Sequence, residues 1–340
     1  MGKMRYTQVG SIKTPAAKIA MGSMVLTVRD DVTGCTFMEK TKADSFKLMD
    51  DAYELGYNTY DASKYYAAGE AELSLGEWMK DRGVRDQMFI IGKGGGICTH
   101  LRPFSPESMM RDIFDSMDKL QVDYIDVYLT HKDNPDVPVE EIVDMFAYMQ
   151  GKGYIHGYGG SNWRNVDRTK RALAYAKEKG YSPFLVAQPG FSLAEPVVNS
   201  WGEDEESLNQ PDMKANLKFY QETGMTLFTW SSMSRGFWSG ALDRETFPAY
   251  KDTLDIVCLK SFCHEVNFKR MDRVKEYGKR IGASVPNIAL AWLLNQPLDI
   301  HPIIGANNRA EMESNLAALD IVMGQHDLDW LNLVTDERPW

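Results

Sequence analysis

The organisation of this chain can be inferred from residues 58–66, Asn-Thr-Tyr-Asp-Ala-Ser-Lys-Tyr-Tyr. Asp61 ends a short apolar and aromatic run that is typical of a strand, and Tyr66 follows in the loop just beyond it. Lys93 and His131 take similar places after two later apolar runs. Each of these side chains alone would indicate ordinary packing or contact with solvent. Together they place an acid, a phenol, an amine and an imidazole at strand ends, which indicates a shared site.

The rest of the sequence alternates between segments typical of strands and segments typical of helices. Strands are predicted at 18–24, 57–61, 88–93, 124–130, 154–160, 184–188, 225–230 and 300–304. Helices are predicted at 43–55, 70–80, 105–120, 138–150, 164–179, 212–223, 264–282, 286–295 and 308–318. This alternation predicts the α/β class and a closed (β/α)8 TIM barrel, whose site lies at the carboxyl ends of its strands. A doubly wound sheet is the alternative, but no glycine fingerprint follows the first strand.

Segments outside this alternation complete the predicted fold. Residues 5–17 alternate in polarity and predict a short β-hairpin that closes the bottom of the barrel. Long segments follow the sixth and seventh barrel strands at 192–211 and 231–262, and loops of this length usually carry function. We expect residues 1–340 to form a single barrel domain.

The composition narrows the class of protein. Hydrophobic residues make up 44% and charged residues 25% of the chain, which is ordinary for a globular protein. The net charge of −10 argues against binding to nucleic acid or to an anionic membrane, since both need clustered Lys and Arg. No apolar run approaches the ~20 residues of a membrane span, and the polar N-terminus does not resemble a signal peptide. Cys35, Cys98, Cys258 and Cys263 are too scattered for a zinc site, so we expect no metal and free thiols in the cytoplasm.

The four strand-end residues, in this order, resemble the catalytic tetrad of the aldo-keto reductase family. Residues 60–66 with Glu70 are similar to the family signature Asp-Thr-Ala-x-x-Tyr-Gly followed by Glu, although Ala67 stands where glycine often follows the tyrosine. Residues 159–163, Gly-Gly-Ser-Asn-Trp, are similar to the family's Gly-x-Ser-Asn segment. The resemblance covers nearly the whole chain. It implies a barrel enzyme that uses a nicotinamide cofactor.

The tetrad suits the reduction of a carbonyl group, which needs a hydride donor and a proton donor. A free tyrosine has a pKa of about 10, too high for ready proton exchange at neutral pH. We expect Lys93 to lower the pKa of Tyr66 by stabilising its phenolate, and Asp61 to keep Lys93 charged. His131 is expected to donate a hydrogen bond to the carbonyl oxygen and orient it. Tyr66 is therefore the predicted proton donor, and the hydride must come from a cofactor.

The resemblance also implies which residues hold that cofactor. Ser161, Asn162 and Gln188 match the family residues that bind the nicotinamide carboxamide, and Trp230 matches the aromatic residue that stacks on the ring. The other implied cofactor contacts are Gly22, Ser23, Met24, Asp61, Ser231, Arg235, Gly236, Gly305, Asn307, Arg309 and Asn315. Structural explanations stay open: Ser161 and Asn162 could cap the next helix, Trp230 could be a core residue and Arg235 a surface residue.

The form of the dinucleotide depends on its adenosine end. The family default implies NADP(H). Glu311 stands where the family often has an arginine or glutamine beside the 2′-phosphate, and a carboxylate there disfavours a phosphate. Arg309 could compensate by binding the phosphate. NAD(H) is the alternative, because an acid near a ribose 2′-hydroxyl favours that cofactor in other folds.

Aromatic residues suggest the class of substrate. Trp163, Trp201 and Trp238 are predicted to contact substrate at the mouth of the pocket, which Met24 and Phe237 also face. His131 and Asn162 are expected deeper in the pocket. Aromatic faces with a few polar groups suit a sugar ring, and the acidic loop at residues 203–206 would repel an anion. We therefore expect a neutral, polyhydroxylated carbonyl or alcohol such as an aldose or keto-sugar. The structural alternative is that these tryptophans pack the long loops.

Two other functions stay open from the sequence alone. A non-catalytic barrel could bind the cofactor and act as a regulatory or partner-binding subunit, as channel-associated relatives in the family do. Such a subunit has no need to keep Tyr66, Lys93 and His131 together. A barrel hydrolase could use Glu195 and the acids at 203–206, but none of these lies at a predicted strand end. The favoured prediction is an NAD(P)H-dependent oxidoreductase that interconverts a carbonyl and an alcohol.

Overall fold

A computed structural model describes residues 2–30, 40–96, 105–200, 202 and 205–340. Its strands are β1 (Tyr6–Thr7), β2 (Ala16–Ala17), β3 (Ala20–Gly22), β4 (Thr59–Asp61), β5 (Phe89–Gly94), β6 (Ile125–Thr130), β7 (Ile155–Ser161), β8 (Val186–Gln188), β9 (Thr226–Thr229) and β10 (Ile300–Ile304). Strands β3 to β10 form a closed barrel in sequence order, with β10 pairing back onto β3, and all neighbours are parallel. Strands β1 and β2 form a separate antiparallel hairpin. The predicted (β/α)8 barrel with an N-terminal hairpin is confirmed.

Helices separate the barrel strands. They are α1 (Lys42–Glu54), α2 (Glu70–Arg82), α3 (Pro106–Leu120), α4 (Val139–Gly151), α5 (Val166–Lys179), α6 (Lys214–Thr223), α7 (Phe247–Tyr250), α8 (Glu265–Ile281), α9 (Val285–Leu294), α10 (Arg309–Ala317) and α11 (Gln325–Leu331). Helices α7 and α11 were not predicted from the sequence. The long connections after β8 and β9 are confirmed, and their described residues form only short helical turns apart from α7.

The sequence sets where several helices begin and end. The side chain of Ser105 accepts a hydrogen bond from the backbone of Ser108, and Pro106 fills the first helical position of α3. Helix α2 ends at Gly83, which adopts the left-handed conformation with φ of 63°. The expected cap of α5 is wrong, because the helix begins at Val166 and Asn165 accepts the capping bond from Asp167.

The hairpin closes the amino-terminal end of the barrel. Val9, Ile12 and Ala16 pack with apolar side chains from inside the barrel, where they form one buried cluster with Phe89, Ile91, Val127, Leu129, Val186, Phe228 and Ile303. The backbone N–H of Ala17 donates to Thr59 Oγ1 at 2.8 Å, and its carbonyl accepts from His301 Nδ1 at 2.8 Å. Apolar packing and a few oriented hydrogen bonds therefore form a plug at this end.

A second and larger core lies between the barrel strands and the surrounding helices. It contains the fully buried side chains of Trp78, Trp292, Tyr128 and Phe146. Burial of one large apolar side chain stabilises the fold by about 1.5–3 kcal/mol, so this layer supplies most of the apolar stabilisation. Among the helices that the structure describes, none combines the length and the apolar character needed to cross a bilayer.

Candidate active site

The four predicted catalytic residues meet at the carboxyl end of the barrel. Asp61 is the last residue of β4, Lys93 lies near the end of β5, and His131 directly follows β6. Tyr66 begins a short helical turn after β4. Lys93 is 0% exposed, Asp61 3% and His131 8%, so the three charged or titratable groups are removed from water. Parallel strands in one barrel end at the same rim, which explains why residues distant in sequence meet here.

One carboxylate joins most of this group. Asp61 Oδ1 accepts a hydrogen bond from Lys93 Nζ and another from Gln188 Nε2 at 2.7 Å. The phenol of Tyr66 donates to Asp61 Oδ2 at 3.2 Å. The ammonium of Lys93 lies 4.7 Å from the centre of the Tyr66 ring. Asp61 therefore holds the predicted amine, the predicted proton donor and an amide in one network of charge-assisted hydrogen bonds.

His131 stands beside the tyrosine. Its ring centroid is 5.8 Å from that of Tyr66, and the two rings meet edge to face at 86°. Ser63 Oγ lies 3.1 Å from His131 Nδ1, and Asn162 Nδ2 donates to the His131 carbonyl at 3.2 Å. Sequence analysis did not single out Ser63. Its position two residues after Asp61, on the chain that turns towards Tyr66, is the signal that could have found it.

The pKa of Tyr66 differs from the expectation. The sequence predicted that Lys93 would lower the pKa of Tyr66, but the structure raises that pKa well above its usual value. Desolvation of the phenol is the largest cause, and the negative charge of Asp61 with its hydrogen bond adds to it. Tyr66 therefore holds its proton firmly at neutral pH.

Burial also lowers the pKa values of the two neighbouring bases, Lys93 and His131. Desolvation lowers the pKa of Lys93, and the bonded Asp61 acts in the opposite direction. The pKa of His131 is lowered well below its usual value by burial and then by the positive charges of Lys93 and Lys132. A neutral imidazole carries a proton on one nitrogen only, so the contact with Ser63 decides which nitrogen can face a ligand.

The turn that carries Tyr66 is conformationally unusual. Ala67 and Ala68 both adopt left-handed backbone angles, with φ of 50° and 56°. An alanine in this region costs roughly 1–2 kcal/mol relative to the right-handed region. Ala67, at the position where the family often has glycine, therefore adopts a backbone conformation that glycine would adopt without this steric cost.

The residues expected to hold the nicotinamide lie around the same rim. Ser161 Oγ donates to the carbonyl of Gln188 at 3.0 Å, and Asn162 Nδ2 lies 3.2 Å from Ser161 Oγ. Trp230 packs on Gly190, where an added Cβ would lie 2.8 Å from the indole ring. The indole Nε1 of Trp230 is buried without a hydrogen-bond partner within the described residues.

The segments expected to hold the rest of the dinucleotide have their own contacts. Ser23 donates to the Asp61 carbonyl from its backbone at 3.1 Å and from its Oγ at 2.8 Å, between Gly22 and the half-buried Met24. Ser231 has a left-handed backbone, with φ of 51°. Arg235 pairs with Asp255 at 2.7 Å, and Gly236 beside it is exposed.

The expected adenosine end is rich in carboxylates. Arg309 contacts Asp51, Glu54 and Glu313 at 3.3, 2.7 and 2.9 Å. Glu311 accepts hydrogen bonds from the Asn307 backbone at 2.9 Å and from the Asn308 side chain at 3.0 Å. Gly305 is exposed and Asn315 is buried.

Two of the tryptophans expected to contact substrate, Trp163 and Trp238, are buried among other side chains. Trp163 is 1% exposed, donates to Thr130 Oγ1 at 2.7 Å and packs 4.7 Å from the Phe184 ring. Trp238 is fully buried and meets Phe237 edge to face at 4.8 Å. Trp201 lies outside the described residues. Since both described indoles are covered by other side chains, polar groups next to His131 are better candidates for contact with substrate.

Two comparisons relate this chain to known proteins. The model of the aldo/keto reductase family matches residues 18–333. The chain is also similar to a solved thermostable aldo-keto reductase, Tm1743, in complex with the inhibitor epalrestat. The two share 22% sequence identity with a TM-score of 0.68, over 98% of this chain and 100% of that chain, a likeness of fold. This chain belongs to the aldo/keto reductase family and is an NAD(P)-dependent oxidoreductase.

Proposed function

We propose that this enzyme reduces a small, neutral, hydroxylated carbonyl compound, such as an aldose or keto-sugar, with Tyr66 as the proton donor. The observation that carries the proposal is the network around Asp61, which binds Tyr66, Lys93 and Gln188 at once. A barrel that only bound a cofactor for regulation would gain nothing from burying this costly set of charges. We further propose that residues 1–340 form one domain in the cytoplasm, where the thiols of Cys258 and Cys263 would stay free.

The residues at the rim fit a nicotinamide. The indole of Trp230 offers a flat face beside Gly190, and its buried Nε1 has no partner among the described residues. Gln188 donates its Nε2 to Asp61, so an amide ligand would meet its Oε1. Ser161 and Asn162 supply the polar groups for the rest of a carboxamide. Such a cofactor supplies the hydride when bound.

The protein's own groups then account for the proton. The raised pKa of Tyr66 keeps its hydroxyl protonated and able to donate to a carbonyl oxygen as negative charge develops there. Lys93 lies close enough to stabilise the phenolate that remains, and Asp61 orients both groups. In the tautomer whose Nδ1 accepts from Ser63, neutral His131 would present its Nε2–H to the same oxygen.

We propose NADP(H) as the cofactor, because the family generally uses it. NAD(H) is the second candidate on a specific observation. The guanidinium of Arg309 already contacts three carboxylates, and the Glu311 carboxylate lies at the start of α10. Both features weaken the attraction for a 2′-phosphate.

The experiment is a spectrophotometric assay with NADPH and NADH against neutral sugars, aliphatic aldehydes, aromatic aldehydes and uronates. We expect reduction by NADPH with the highest kcat/KM for neutral hydroxylated substrates. A far larger kcat/KM for apolar aldehydes would contradict the substrate class while leaving the reaction in place. Tighter binding and faster turnover with NADH would overturn the assignment of NADP(H). No turnover in either direction with any member of the panel would contradict the catalytic role.

A further inference from the structure

A buried ion pair involves Lys132, the residue that follows His131 in the chain. Lys132 Nζ is 2.7 Å from Glu205 Oε1, and both side chains are only 9% exposed. Lys132 follows His131 in the loop after β6, and Glu205 belongs to the long connection after β8. Two loops at the carboxyl rim of the barrel, one of which carries His131, are therefore joined by opposite charges.

The next residue in the chain fixes the position of this glutamate. Glu206 Oε1 accepts hydrogen bonds from Asn216 at 2.7 Å and from Tyr220 at 2.9 Å, both on α6. Its backbone carbonyl accepts from the Gly190 N–H at 2.7 Å. The two neighbouring glutamates thus reach opposite sides of the chain, Glu206 into the helical layer and Glu205 towards the His131 loop. This anchoring gives Glu205 a defined position with little remaining freedom.

Both members of the pair act electrically on the catalytic groups. The negative charge of Glu205 contributes to the raised pKa of Tyr66, and the positive charge of Lys132 contributes to the lowered pKa of His131. The contacts of Asn162 also join the two loops that carry the pair: its Oδ1 accepts from the Glu206 N–H at 3.4 Å, and its Nδ2 donates to the His131 carbonyl at 3.2 Å. A buried ion pair is weak evidence for a stabilising role, because desolvation offsets much of its attraction.

We propose that the Lys132–Glu205 pair binds a hydroxyl group adjacent to the reacting carbonyl and so selects 2-hydroxyaldehydes and 2-hydroxyketones. This inference rests on the proposed reduction of carbonyl compounds. A hydroxyl is suited to an ion pair because it can accept from an ammonium and donate to a carboxylate at the same time. The pair has no net charge, so it favours neither anionic nor cationic substrates. An apolar group in the same place would leave charged atoms desolvated without a new partner.

The test compares 2-hydroxypropanal with propanal, which differ only in the hydroxyl next to the aldehyde. We expect the wild-type enzyme to prefer 2-hydroxypropanal in kcat/KM. Glu205→Gln and Lys132→Met should each reduce that preference by about 10- to 100-fold, the range typical for a hydrogen bond to a charged group. The ratio of two substrates on one preparation does not depend on the fraction of protein that is folded. It therefore remains informative for a destabilised variant.

Lys18→Met is the matched control. Lys18 pairs with Asp299 at 3.1 Å at the opposite end of the barrel, so its loss should leave the preference unchanged. Variants of the Lys132–Glu205 pair that lower kcat/KM equally for both aldehydes, or that lower neither, would overturn the inference and leave the proposed reduction intact. A wild-type enzyme that reduces neither aldehyde with NADPH or NADH would contradict both the proposed function and this inference.

Discussion

The two ends of the barrel solve opposite physical problems. At the amino-terminal end, Val9 and Ile12 of the hairpin fill the opening with apolar atoms that are almost fully buried. At the carboxyl end, Asp61, Lys93 and His131 occupy equally dry positions with groups that prefer water. Burying a large apolar side chain stabilises the fold by about 1.5–3 kcal/mol, whereas an ion removed from water costs several kcal/mol before its partners are counted.

Within one barrel, the amino-terminal end therefore contributes mainly to stability and the carboxyl end mainly to the proposed chemistry. The apolar plug can be weakened without touching a group that would meet substrate. The network around Asp61 can be altered with small changes in volume but large changes in function, because each member is a hydrogen-bond partner of another. Variants at the two ends should therefore affect different measurements.

The largest expected effect lies at the carboxyl end. Tyr66→Phe removes the hydroxyl that donates to Asp61 and should lower kcat for carbonyl reduction by about 10²–10⁴-fold, the usual contribution of a positioned acid. Cofactor affinity, measured by quenching of tryptophan fluorescence, should remain nearly unchanged. Tyr6→Phe is the matched control, since that hydroxyl donates to the Gly56 carbonyl at the other end of the barrel. Turnover close to wild type in Tyr66→Phe would rule out the proton-donor assignment.

The plug gives the complementary result. Ile12→Ala should lower the free energy of unfolding by about 2–5 kcal/mol, because it leaves a cavity among side chains packed inside the barrel. The kcat of the folded fraction should stay within a factor of two or so of wild type, since no contact with the tetrad is lost. Chemical denaturation and steady-state kinetics on the same samples would measure both quantities. A loss of kcat with unchanged stability would break the proposed separation of the two ends.

The dependence on pH sharpens the contrast further. In the proposed mechanism Tyr66 must be deprotonated for alcohol oxidation, and its pKa is raised, so kcat/KM should increase about tenfold per pH unit through the neutral range. Reduction uses the protonated form and should be independent of pH over the same range. His131 stays neutral there because its pKa is lowered, so no inflection should occur near its ordinary value of about 6.5. A reduction rate that falls across that value would show that the imidazolium is the active form.

The smallest expected effect concerns the left-handed turn at Ala67, which directly follows Tyr66. Ala67→Gly should raise the free energy of unfolding by about 0.5–1 kcal/mol, because glycine adopts the left-handed conformation without steric cost. Ala174→Gly, in the exposed interior of helix α5, should instead lower it by about 1 kcal/mol. Equal effects of the two substitutions in a thermal or urea titration would show that the turn carries no backbone strain.

Sequence patterns predicted most of the fold because each barrel strand is a short apolar run between turns. They also predicted which polar residues end those strands, and a shared rim brings such residues together. Sequence patterns failed where a residue's role depends on the path of the chain in the folded structure. The Ser-Asn pair at 161 and 162 looks like a helix cap, but the chain runs on to Asn165 before α5 begins.

Local sequence patterns also could not predict the electrostatics and the side-chain packing of the site. Trp163 follows a barrel strand, yet its indole turns outward to Phe184. The direction of the pKa shift of Tyr66 depends on how much water reaches its hydroxyl, which no local spacing records. The bond between Gln188 and Asp61 spans 127 residues and is equally invisible in the sequence.

The hydrogen bond between His301 and Ala17 has a consequence for how the chain acquires its fold. These residues are separated by 284 positions, so the hairpin leaves the ribosome long before β10, the strand that carries His301. Loop closure over this distance carries a large entropic cost before any contact forms, and topologies dominated by such contacts fold slowly. The hairpin is therefore synthesised well before the strand whose His301 side chain binds its backbone. A nascent chain halted before β10 would expose Val9 and Ile12 as an apolar surface that chaperones could bind.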